Sequence, residues 1–68
     1  MQNLFTPPKT CSGSLLGVNG NAIALVGSFK RFAKADGWTP VEIETVCKEA
    51  MNGDYDHLLT TLTLHMDD

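Results

Sequence analysis

Apolar residues between positions 20 and 35 recur at spacings of three and four: Ala22, Leu25, Val26, Phe29, Phe32 and Ala33. That period places them on one face of a helix. The same rule gives Ile43, Val46, Cys47, Ala50 and Met51 a common face over 40–51, and Tyr55, Leu58, Leu59, Leu62 and Met66 a third over 55–65. Turn-forming residues punctuate these runs: Asn19-Gly20-Asn21 before the first, Asp36-Gly37 after it and Asn52-Gly53 after the second. Ahead of them, Leu15-Leu16-Gly17-Val18 suits one short strand. Residues 1–14 show no period; Pro7-Pro8 forbids helix and Ser12-Gly13-Ser14 is flexible. The pattern therefore predicts a mostly α fold: a small three-helix bundle over 15–68, with helices at about 20–35, 40–51 and 55–65. A flexible arm over 1–14 precedes it, with Leu4 and Phe5 available to clip onto the core or to pair as a short edge strand.

The corner at 37–43 carries the strongest local signal. Thr39 suits the N-cap, Pro40 the first helical position, and Glu42 falls three residues after the cap, which together make a capping box. Trp38 and Ile43 flank it as a hydrophobic staple. Gly37 fits the left-handed position that closes the preceding helix. Asn19 or Asn21 is the expected cap of the first helix and Asp54 that of the third, where Asp56 complements the helix dipole.

Composition narrows the function classes. Sixty-eight residues make one domain with little spare stability. A net charge of −3 disfavours tight, sequence-independent binding to phosphate backbones, and is too weak for a mimic of DNA. Two cysteines, Cys11 and Cys47, form no disulfide framework; Cys47 sits in the core stripe as a small hydrophobe. Residues 1–14 contain no apolar export segment and the longest apolar run, 22–26, is too short for a membrane. A cytoplasmic location with free thiols is expected.

Few residues offer chemistry. Asp54, Asp56, His57, His65 and the two cysteines are metal-ligating types, yet no pair has a zinc spacing and no calcium loop is complete, so neither metal nor cofactor is expected. No nucleophile elbow, phosphate loop or paired carboxylates in an apolar setting are present, and the chain is expected not to be an enzyme. A DNA-reading helix-turn-helix over 40–65 fails on charge: its second helix opens Asp54-Tyr55-Asp56 and holds no Lys or Arg.

What remains points to binding. Lys30, Arg31 and Lys34 lie on the side of the first helix away from its apolar stripe, with Gly27 among them. They read as a docking patch for an acidic partner or a phosphate, against the plain alternative of a solvated helix end. Ile23, Val41 and Leu64 point away from their own helices' inner faces. With Trp38 and Tyr55 as aromatic anchors, Leu64 and the three cations complete the candidate partner-binding set. For Trp38 the alternative role is the staple, and for Tyr55 the core.

Asn19-Gly20-Asn21-Ala22, a basic helix, and then Glu49-Ala50-Met51-Asn52-Gly53-Asp54-Tyr55-Asp56-His57-Leu58-Leu59 resemble a family of small uncharacterised bacterial, plasmid and phage proteins. That family's pattern is D-G-N-A, a helix, then E-A-T-S-G-D-Y-D-H-L-L. The resemblance spans 15–66. Asn19 replaces the family's acidic turn residue, and the arm here is longer. The resemblance implies a mobile-element setting, hence a host cytoplasm, and no particular activity. The Gly37-Trp38 corner and the Gly-Asp before a leucine-rich third helix are also similar in architecture to ubiquitin-associated domains, which bind a protein partner through such a corner and the third helix. The expected function is a non-catalytic protein–protein interaction module that modulates a host protein. The alternatives are a nucleic-acid accessory protein using the basic patch, and a homo-oligomeric assembly protein.

Overall fold

The computed structural model describes residues 1–67. Among them, three helices run as α1 (Ala22–Ala35), α2 (Pro40–Ala50) and α3 (Tyr55–Leu64), flanked by two very short strands, β1 (Cys11–Ser12) and β2 (Met66–Asp67). The three-helix, mostly α architecture agrees with the apolar period. Each helix starts on the side chain the sequence offers. Asn21 Oδ1 accepts from Ile23 N at 2.9 Å, and Asp54 Oδ1 accepts from His57 N at 2.9 Å. The capping box of α2 is complete: Glu42 N donates to Thr39 Oγ1 at 3.2 Å, and Thr39 N donates to Glu42 Oε1 at 2.9 Å.

The α1–α2 corner is a Schellman turn. Gly37, at φ 84°, donates from its N–H to Lys34 O at 3.1 Å, and Trp38 N–H reaches back to Ala33 O at 3.0 Å. This satisfies carbonyls that the helix end would leave bare, and it turns Trp38 inward to 5% exposure. The core gathers Leu25, Val26, Phe29 and Ala33 of α1, Val46, Cys47 and Ala50 of α2, and Leu58 and Leu62 of α3, together with Trp38 and Cys11.

Four expectations need correction. Residues 15–18 form a turn closed by Val18 N to Leu15 O, with Gly17 at φ 82°, and no strand. The strand lies instead at Cys11–Ser12, and it pairs in parallel with Met66–Asp67 in the register Cys11↔Met66 and Ser12↔Asp67. The arm over 1–14 packs against the bundle: Cys11 is fully buried and Phe5 lies on the core. Met51 and Tyr55, assigned to inner faces, are 59% and 47% exposed: Met51 is the C-cap of α2 and Tyr55 the first residue of α3, where the buried stripe runs out.

Asn3 fastens this arm. Its Nδ2 donates to Leu64 O and to Lys9 O, both at 2.9 Å, while its Oδ1 accepts from Phe5 N at 3.0 Å. His65, fully buried, takes Leu4 N on Nε2 at 3.0 Å and donates from Nδ1 to Thr61 O at 2.7 Å. An amide N–H can only donate and a carbonyl can only accept, so these partners select the neutral ring with its proton on Nδ1.

Candidate functional site

The first helix ends in Lys30, Arg31, Lys34, and the second begins with the capped turn at Pro40. Between them the two helices leave a groove. Lys30, Arg31 and Lys34 form its α1 wall, Glu44 stands on the α2 side, and Trp38, Pro40, Ile43 and Cys47 supply an apolar floor. The groove is open to solvent and measures about 780 Å³. The structure thus brings together four of the six residues singled out as partner-binding candidates.

The cations of that wall are uncommitted. Among the described residues the ion pairs are Lys9 with Glu42 and His57 with Glu49, each at 2.8 Å, and neither involves the groove. Arg31 Nη2 makes one long bond, 3.4 Å, to Ser28 Oγ. Lys30 lies close enough to Cys47 to favour a thiolate, but burial outweighs it and pushes the Cys47 thiol up. Cys47 is therefore a protonated floor residue at neutral pH and a poor nucleophile.

Tyr55 and Leu64 lie outside the groove, at opposite ends of α3, about 13 Å apart along its axis at the usual rise. Tyr55 Oη donates to Gly20 O and so ties α3 to the turn before α1. Leu64 is half-buried, and its carbonyl is taken by Asn3 of the arm. Val41 and Ile23 stay exposed at 72% and 79%.

The arm closes the other side of Trp38. Phe5 meets the indole edge-on at 5.5 Å and meets His65 at 5.7 Å, while Phe29 meets the indole from the core at 5.6 Å. Lys9 Nζ stands 5.3 Å from the indole centroid and bonds Glu42 Oε2 at 2.8 Å. Glu42 therefore uses one oxygen for the cap and the other for the arm. Lys9 foremost, then the Thr39 N–H, holds its carboxyl below the usual range. Trp38 is thus packed between the core and the arm, and at 5% exposure it offers the groove little surface.

The sequence marked Phe5 as able to clip onto the core, and it does, but it did not mark Asn3 or His65 as anchors. For His65 a signal existed: with Leu58, Thr61 and Leu62 it continues the three-and-four spacing of the buried face of α3. Asn3 carried none, because Leu64, whose carbonyl it holds, lies 61 residues away in the chain.

Elsewhere His57 Nε2 lies 2.8 Å from Glu49 Oε2 and 2.9 Å from Glu49 O, which pins the start of α3 to the end of α2. Among the described residues no three His, Cys, Asp or Glu side chains come together as a metal-ligand set. No helix there is long and apolar enough to cross a membrane. No protein-family model, curated protein or solved structure matches the chain.

Proposed function

We propose that this chain is a small, non-catalytic module that acts by binding another protein. The observation that carries the reading is the α1–α2 groove, where three cations with no ion pair among the described residues border an apolar floor. Interfaces are built this way, with apolar anchors inside a charged rim that orients the partner. The resemblance noted above adds a mobile-element setting, in which the partner would be a host protein. A nucleic-acid accessory role would draw on the same three cations. Glu44 across the groove and the apolar floor favour a protein, since phosphates gain nothing from either.

The test is affinity capture from a lysate of cells that carry the gene. Immobilised wild-type chain should retain a stoichiometric protein that survives nuclease treatment. Recovery of chaperones alone would refute the module. Binding of nucleic acid that weakens steeply with salt, and that is lost in the K30E/R31E/K34E variant, would transfer the function to the accessory role. Sedimentation at micromolar concentration separates the homo-oligomeric alternative, which a strict monomer excludes.

A further inference from the structure

We infer that the α1–α2 groove receives an acidic protein segment with apolar anchors, its carboxylates lying along the α1 wall. The inference rests on the module reading and adds to it the place and the chemistry of the occupant.

Charge carries the first step. The chain has five Lys and Arg residues against eight Asp and Glu, yet three of the five cations stand within five consecutive positions of one helix. None is neutralised among the described residues, whereas Lys9 is. These cations are exposed at the rim of the groove, and Arg31 can hold a carboxylate through two parallel bonds. The local sign is opposite to that of the whole chain, so an acidic segment is attracted here and repelled elsewhere.

The floor and the far wall refine the occupant. Trp38, Pro40, Ile43 and Cys47 provide apolar surface that a purely acidic chain would leave unused. Glu44 opposes the cations, so carboxylates are favoured on one edge only. That describes an amphipathic segment. It fits a nucleic-acid backbone poorly, because phosphates recur on every residue. A lipid surface fits poorly too, because the site is concave.

Helical spacing extends the surface. On α1, Ile23, Gly27, Lys30 and Lys34 follow one stripe at steps of four, three and four. On α2, Pro40, Glu44 and Cys47 follow another, which Met51 continues. Ile23 and Met51 are 79% and 59% exposed, and a side chain added at Gly27 would meet nothing. The apolar ends of both stripes thus lie beyond the basic part, with an open step between. From Lys34 to Ile23 this spans about 16 Å, roughly three turns of a docked helix.

Selection from a library of displayed random peptides of about 12 residues, a length that covers this span, tests the inference on the intact chain. Peptides enriched on the wild type should combine Asp or Glu with Leu, Ile, Phe or Trp. They should bind the K30E/R31E/K34E variant at least about tenfold more weakly. The variant I23K/M51K, which keeps the cations, should weaken them too. Both sets of residues are exposed, so circular dichroism should report an unchanged fold. In the labelled protein, the amides of Lys30, Arg31 and Lys34 and the Trp38 indole should shift on peptide addition. Enriched peptides without acidic bias, undiminished binding to the charge-reversed variant, shifts confined to α3, or no enrichment would each overturn the assignment. So would tighter binding of an oligothymidine or of anionic vesicles to the same residues, or dimerisation abolished by the same charge reversal. If the charge-reversed variant still captures the lysate partner, the module survives and its groove assignment falls. If lysate and library both yield nothing, both readings fall.

Discussion

Two positions illustrate how single residues hold this fold. Gly37 occupies a left-handed backbone conformation that any other residue adopts at a cost. G37A is expected to destabilise by about 1 kcal/mol, the usual penalty for a Cβ there, as a shift in urea midpoint. No neighbour obstructs that Cβ, so backbone conformation alone sets the loss. His65 is costlier, because it is a packed side chain and a double hydrogen-bonding hub at once. H65A leaves a void beneath Phe5, strips Thr61 O of a donor and leaves Leu4 N without its acceptor. A loss of about 3 kcal/mol is expected in denaturant titration, which is large for a domain of this size.

At the scale of elements, the N-terminus of α2 and the arm share one carboxylate. Lys9 and the cap depress the Glu42 carboxyl in the folded chain. Its contribution is therefore fully present above the ordinary glutamate value of about 4.3 and is lost as pH falls through the lower folded-state value. In acid titration of stability, the difference between wild type and E42Q should shrink through that window. T39A, which removes the other half of the capping box, should cost about 1 kcal/mol by urea titration.

The arm itself is testable through Cys11. Burial, reinforced by the nearby Asp36 carboxylate, pushes its thiol up. In a C47A background, Cys11 should resist a thiol reagent at neutral pH and become reactive once residues 1–10 are removed. Unchanged protection in the shortened chain would show that β pairing alone shields it. The unfolded thiol releases its proton near the ordinary value of about 8.5, so stability should fall as pH rises past that point.

The same elements show what a sequence can and cannot carry. The corner at 37–43 was legible because glycine, cap, proline and glutamate all fall within the six residues 37–42. Helix limits followed for the same reason, and Asn21 rather than Gly20 set the start of α1 because its side chain reaches Ile23 N. The apolar stripes located Leu25, Phe29, Val46 and Leu62 correctly, but spacing cannot tell where along a helix burial stops, so Met51 and Tyr55, at helix ends, were misplaced. Of the arm, the apolar pair Leu4 and Phe5 was legible as able to clip onto the core, but its polar fastening was not, because Asn3 and Leu4 find hydrogen-bond partners 61 residues away. Of the candidate site, periodicity located the basic wall; only the packing of α2 against α1 revealed the floor beside it.

At the scale of the molecule, β1 and β2 point the same way, one entering from the arm and the other leaving α3. When residues 10 and 67 are pulled apart, that joint slides along its own length instead of peeling open. The bonds from Cys11 N to His65 O and from Gly13 N to Asp67 O are then strained simultaneously. In a force-spectroscopy tether attached at those positions, this two-residue seam should rupture first, at a higher force than a seam opened bond by bond. Attachment at residues 22 and 50 spares the seam and should yield at a lower force.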